Sequence, residues 1–261
     1  MPHPETVTLA VKDGVATITI ADAKRMNLLN TPTMEQLLRV GEEVKRNAAI
    51  RLVVLTGDGG KAFIGGADIT EMAEFDPERA QAFITRVHRV CHLFRALPVP
   101  SIARIEGFCL GAGLEVAASC DLRIAAEGSA FGMPEVQLGL PSVVEARLLP
   151  TLIGWGKTRE LLYTGEVIDA AEAYRIGFLQ KLAPPGELDA QMQPWITAIL
   201  AAEPGAIRAQ KGLIETWLDS GVAAGIQASI DVFGRSFHGD APRQRLRGFL
   251  NRPRKPKSTK E

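Results

Sequence analysis

The sequence predicts an α/β fold: a core of alternating strands and helices, followed by a region of helices alone. Three observations predict it. Apolar runs rich in β-branched residues, bounded by turn residues, dominate the first half of the 261-residue chain. Helical patterns are interleaved with them as far as Phe131. Beyond Pro141 helical patterns stand alone, which marks an α/β core with a helical C-terminal part.

The elements follow in order. Residues 6–11 and 15–20 read as strands around Lys12-Asp13-Gly14, and Asp-Gly is a strong hairpin signal. Thr31-Pro32 opens a helix, with Thr31 as the expected cap and Pro32 in the first turn. Met34, Leu37, Leu38 and Val44 give that helix an apolar stripe. Residues 51–56, RLVVLT, form a buried strand that ends in a turn-rich run, residues 57–60. A long helix spans about residues 77–96, and Pro98 and Pro100 end it before a strand at 101–105. A glycine-rich stretch at 107–113 leads into a short helix reaching about Ser119. Residues 121–125 and 130–131 are short strands. Helices are then expected at about 143–152, 157–163, 170–176, 187–200, 204–220 and 223–237.

Composition narrows the function classes. Thirty basic residues balance thirty acidic ones, so no global positive field recruits nucleic acid, and none is expected as a partner. Hydrophobic residues at 46% and charged residues at 23% suit a globular enzyme. No apolar run reaches membrane-spanning length, and the first residues lack a signal-peptide pattern, so a cytoplasmic protein with no membrane partner is expected. Cys91, Cys109 and Cys120 form no C-x-x-C pair and read as reduced, buried thiols. His88 and His92 stand four apart, a spacing that can hold a metal; without a third ligand they read as two histidines on a helix face.

Three segments carry chemistry in combination. KAFIGGADITEM, residues 61–72, places Gly65 and Gly66 after a buried strand and before Ala67-Asp68, where a backbone can approach a ligand closely. IEGFCLGAGLEVAASCD, residues 105–121, is strand, glycine turn and helix start. The first turn of such a helix presents unpaired N–H groups and a positive dipole end to a developing oxyanion. Ala112 falls in that first turn and Glu115 three residues on, so an amide and a carboxylate can address one small volume. FGMPE, residues 131–135, brings a second carboxylate, Glu135. Two carboxylates in a partly apolar pocket can divide into an acid and a base.

In this order and spacing the motifs resemble the crotonase superfamily, the enoyl-CoA hydratase/isomerase family, over nearly the whole chain. The resemblance also includes Met26-Asn27-Leu28 and the LLYTGEVIDAAEA run, residues 161–173. It implies a spiral of ββα units with a C-terminal helical trimerisation region. The implied parts are a spiral core over residues 1–195, a helical region over 196–250 and a disordered basic tail over 251–261. It further implies a homotrimer or a homohexamer built as a dimer of trimers. Carried over by position, the oxyanion-hole amides fall on Ala67 and Ala112, and the glutamates on Glu115 and Glu135. The implied reaction is hydration of a trans-2-enoyl-CoA thioester to a 3-hydroxyacyl-CoA, with Glu115 as base towards water and Glu135 protonating the α-carbon. It implies no metal and no cofactor, coenzyme A being part of the substrate. The acyl-CoA is expected along Lys24, Arg25, Met26 and Leu28, then Ala62, Gly65, Gly66, Asp68 and Ile69, and against Gly111, Pro134 and Glu145. Lys24 and Arg25 are candidate phosphate neighbours or ordinary surface charges.

Two departures stand out. Ala112 replaces a glycine usual in relatives, a change that keeps the backbone N–H. Ser142-Val143-Val144-Glu145 replaces a glycine-rich P-G-x-G-G-T run at the acyl pocket. Bulkier side chains there would shorten or reshape the pocket, and Glu145 is either a third acid in the site or an ion-pair partner. Isomerase, decarboxylase or C–C hydrolase chemistry, or a CoA-ester-binding relative without catalysis, are the alternatives that these departures leave open.

Overall fold

The computed structural model describes residues 4–251. The expected tail at 252–261 therefore lies outside the described residues. The chain divides into two compact units between Ala201 and Ala202. The boundary expected after residue 195 falls inside a helix, Leu188–Ala201, which belongs whole to the first unit.

The first unit opens with strands β1 (Val7–Lys12) and β2 (Val15–Ile20). Asp13 and Gly14 both take left-handed φ, 50° and 81°, the geometry of a two-residue hairpin that pairs Lys12 with Val15. Helix α1 (Thr31–Arg46) follows. Its cap is Asn30, not Thr31: Asn30 is extended, and its side chain accepts from the Thr33 amide at 2.9 Å. Thr31 is the first helical residue instead, because a tertiary partner claims it. Its amide and hydroxyl both donate to the Glu71 carboxylate, at 2.9 and 2.5 Å.

Next come β3 (Leu52–Gly57), β4 (Ala62–Ile64), α2 (Ile69–Met72), α3 (Pro77–Arg95), β5 (Ser101–Ile105), β6 (Phe108–Leu110) and α4 (Ala112–Ser119). They are followed by β7 (Leu122–Ala126), β8 (Ala130–Gly132), α5 (Leu149–Thr164), β9 (Val167–Asp169), α6 (Ala170–Arg175), β10 (Lys181–Ala183) and α7 (Leu188–Ala201). From β3 to β8 consecutive strands alternate between two sheets. One runs β1-β2-β3-β5-β7-β10 and the other β4-β6-β8-β9. Beyond the opening hairpin the first sheet is parallel, and in the second only the β8–β9 pair is antiparallel. Strand pairs β3–β4, β5–β6 and β7–β8 each step from one sheet to the other, with helices returning the chain after the first two. This is the spiral of ββα units.

The helix expected at 143–152 is a 3-10 helix, Val144–Leu148, that runs into α5. Gly154, at φ 74° and ψ 158°, interrupts α5 between the two expected helical segments. Strands β9 and β10 have three residues each, too few to show a period in sequence. The core packs β-branched and aromatic side chains between the sheets and helices α1 and α3, with Phe63, Phe94 and Phe131 fully buried. All three cysteines are free and buried.

The second unit contains α8 (Pro204–Asp219), α9 (Val222–Ser236) and α10 (Ala241–Leu250). Helix α10 lies beyond the last helix expected from sequence.

Candidate active site

The site is built where β4, β6 and β8 end. The chain leaves β6 through Gly111, whose φ of 51° only glycine adopts readily, and enters α4 directly. A Cβ on Gly113 would sit 2.2 Å from the Ile64 carbonyl oxygen, so α4 packs backbone to backbone against β4. This contact brings the start of α4 to the turn that follows β4. In that turn Leu29 donates to the Gly66 carbonyl at 2.9 Å, and Asp68 donates to the Leu29 carbonyl at 3.0 Å. The Ala67 N–H between them has no acceptor among the described residues, and neither has the Ala112 N–H at the helix start. Both residues line the same cavity.

Glu115 lies one turn into α4 and is only 3% exposed. Its Oε1 accepts from the Ala146 amide at 3.1 Å. Burial pushes its carboxyl up to about 8; the Ala146 bond opposes this, and repulsion from Glu135 and Glu145 adds to it. Glu135 stands on a 3-10 helix, Pro134–Leu138, that follows β8. Its Oε2 accepts from the Ser142 hydroxyl at 2.8 Å. Its Oε1 lies 2.6 Å from where a Cβ on Gly111 would be, so the glycine also makes room for the carboxylate.

The cavity has a volume of about 470 Å³. Its wall is apolar, with Met72, Phe75, Phe83, Ile84 and Val87 on the α2–α3 side and Leu138, Leu140 and Val143 opposite. Glu115, Glu135 and Gln81 are the side chains there that carry charge or an amide. The arrangement suits an apolar chain with one reactive polar end.

Of the residues singled out in the sequence, Gly65, Gly66, Ala67, Ile69, Gly111, Ala112, Glu115, Pro134 and Glu135 converge on this cavity. The others do not line it. Met26 and Leu28 pack on Gly65, whose amide donates to the Met26 carbonyl at 2.9 Å. Ala62 is buried in β4, and its carbonyl accepts from the Asn27 side chain at 2.7 Å. Lys24 is exposed. Arg25 is half-exposed and forms an ion pair with buried Asp68, which needs a partner once removed from water. Glu145 is buried outside the cavity, with its Oε1 2.8 Å from His88 Nδ1. Glu145 thus lies beside His88 and not among the residues that line the cavity; Val143 faces the cavity.

Sequence reasoning does not single out the apolar wall as part of the site. Phe83, Ile84 and Val87 show helical spacing, which a packed core produces equally well. Ser142 stands in the run expected at the acyl pocket but is not expected against Glu135, and Ala146 gives no signal, because their roles rest on contacts 7 and 31 residues away.

Comparison with known proteins shows the family and the fold. The family model for enoyl-CoA hydratase/isomerase matches residues 10–260. A crotonyl-CoA hydratase of Syntrophomonas wolfei is 34% identical, over 95% of this chain and 96% of the relative. A short-chain-enoyl-CoA hydratase of Clostridium acetobutylicum is 32% identical, over 94% and 95%. The crystal structure of an enoyl-CoA hydratase from Bacillus anthracis superposes with a TM-score of 0.90 at 29% identity, covering 94% of this chain and 96% of that one. The chain belongs to the enoyl-CoA hydratase/isomerase family, the crotonase superfamily.

Proposed function

We propose that the protein hydrates a trans-2-enoyl-CoA thioester to the 3-hydroxyacyl-CoA. The observation that carries the reading is that two carboxylates, Glu115 and Glu135, line one apolar cavity with two acceptor-free amides, Ala67 and Ala112. The amides receive the thioester oxygen and stabilise the enolate-like charge that builds on it, the kind of interaction that commonly contributes most to lowering a reaction barrier. Glu115 takes a proton from water as the water oxygen bonds to C3. Glu135 gives a proton to C2. The step starts with Glu115 ionised and Glu135 protonated, and return of the proton from Glu115 to Glu135 after product leaves restores the enzyme; the sum is one water added, with no metal or cofactor required, coenzyme A belonging to the substrate.

A base must be ionised to act. With its carboxyl raised to about 8, Glu115 is a better proton acceptor than an ordinary carboxylate, and a minor fraction of it is ionised at neutral pH. The thioester arm would run along the surface of residues 24–28 and the turn at 65–69. Lys24 and half-exposed Ile69 are available there for the phosphate and adenine ends.

The proposal includes a homotrimer or a dimer of trimers. Val222, Ile226, Ile230 and Phe233 form an exposed apolar stripe along one face of α9, the kind of surface a second copy covers. It also includes a cytoplasmic setting, to which three buried reduced thiols are suited. Among the described residues, no helix is long and apolar enough to cross a membrane.

The test is loss of the enoyl-thioester absorbance band with crotonyl-CoA and longer homologues. Glu135→Gln is expected to remove nearly all turnover and keep CoA-ester binding. Wild-type protein that binds CoA esters but hydrates none of the series would refute the reading.

A further inference from the structure

Residues 142–146 hold the site from behind. Glu145 is 4% exposed and faces His88 on α3, with Oε1 2.8 Å from Nδ1. Its other oxygen, Oε2, is buried with no hydrogen-bond partner. A half-paired buried carboxylate is costly, and such groups persist where function requires them. The preceding residue is strained as well. Val144 has φ 40°, a left-handed conformation that a β-branched side chain rarely takes. That twist directs the side chains of its neighbours differently, Val143 to the cavity wall and Glu145 to buried surroundings beside His88. Ala146, next in sequence, donates its amide to Glu115.

We propose that Glu145, clamped by His88, is a positioning residue for Glu115: the pair pins the strained turn against α3, so that the Ala146 amide is aimed at Glu115 Oε1 and Val143 closes the acyl cavity. The inference rests on Glu115 acting in the site as proposed above. Glu145 also acts through charge. It opposes ionisation of both Glu115 and the buried Cys91 thiol, for each of which burial is the larger cause. The titratable groups around the cluster are Glu115 on α4, His88 and Cys91 on α3, His92 stacked on His88, and Glu135 facing Glu115. Arg147 lies on the same 3-10 helix as Glu145.

The experiment compares Glu145→Gln and Glu145→Ala with wild type. Glu145→Gln keeps a hydrogen-bonding group for His88 and removes the charge; Glu145→Ala removes both. Expected for Glu145→Ala is a fall in kcat of ~10-fold or more with KM within about twofold, a loss of aim rather than of binding. Glu145→Gln should recover most of kcat while moving the pH profile of kcat/KM to lower pH by roughly half a unit or more. Carbon NMR of the Glu115 carboxyl reads the same displacement without turnover. A Glu145→Ala enzyme with wild-type kcat overturns the proposal, as does a Glu145→Gln enzyme that loses as much kcat as Glu145→Ala. If Glu145→Ala does not fold, His88→Ala removes the clamp from the half-exposed side of the pair, and wild-type kcat in that variant overturns the proposal. If wild type hydrates no enoyl thioester, the proposed reaction fails, and the NMR titration still decides whether Glu145 governs Glu115.

Discussion

The Ser142 hydroxyl donates to Glu135 Oε2 at 2.8 Å, so a side chain seven residues on holds one of the two cavity carboxylates. Removing that donor leaves the carboxylate free to rotate. Ser142→Ala is expected to lower kcat about fivefold, the worth of ~1 kcal/mol of hydrogen bonding, with KM little changed. Steady-state kinetics on one enoyl thioester checks it. A larger effect on KM than on kcat would place Ser142 in substrate binding instead.

Glu115 links the site to stability. Its carboxyl sits near 8 in the folded chain, against an ordinary value of 4.5. The folded state therefore holds the proton more tightly than the unfolded one. Stability falls as pH rises from about 4.5 to about 8, and stays lowered above that range. Glu115→Gln removes the ionisable group and keeps an acceptor for the Ala146 amide. The variant should be more stable than wild type at pH 9, by on the order of a few kcal/mol, and nearly equal near pH 4.5. Chemical denaturation at the two pH values measures this. In the same variant turnover should drop by ~100-fold or more.

Ala112 tests the amide directly. Proline suits the first position of a helix and has no N–H, so Ala112→Pro deletes the donor while α4 keeps its start. The expected loss in kcat is ~100–1,000-fold, as for removal of one oxyanion donor. Thermal unfolding run in parallel should show a Tm close to wild type; a collapse in Tm would attribute the loss to misfolding.

Ile84 lines the apolar wall and is partly buried. Ile84→Trp should fill the far cavity and lower kcat/KM for longer enoyl thioesters by ~10-fold or more, leaving crotonyl-CoA largely unaffected. Profiles of kcat/KM against chain length for both proteins provide the check. An equal loss at every length would show that Ile84 does not border the acyl chain.

Much of this site is local and legible residue by residue. The Asp13-Gly14 hairpin, the glycine turn into α4 and the three-residue step from Ala112 to Glu115 depend on backbone geometry that neighbouring residues dictate. What misleads is competition between equally suitable local partners. Asn30 and Thr31 can both cap a helix, and the contact of Thr31 with distant Glu71 decides between them. Arg25 is as fit to meet a phosphate as a carboxylate, and buried Asp68 holds it.

By itself the sequence determined the α/β class, the helical C-terminal part and the one-turn step from Ala112 to Glu115, because glycine turns, helix starts and residue spacing act over a few residues; the spiral and the pairing of Glu115 with Glu135 came with the family resemblance. Only the tertiary structure decided that Glu145 pairs with His88, that Glu115 keeps its proton to about pH 8, and that α3 walls the cavity. Those properties arise from burial and from contacts between segments far apart in the chain, and no local pattern encodes how much water a side chain loses when the chain folds.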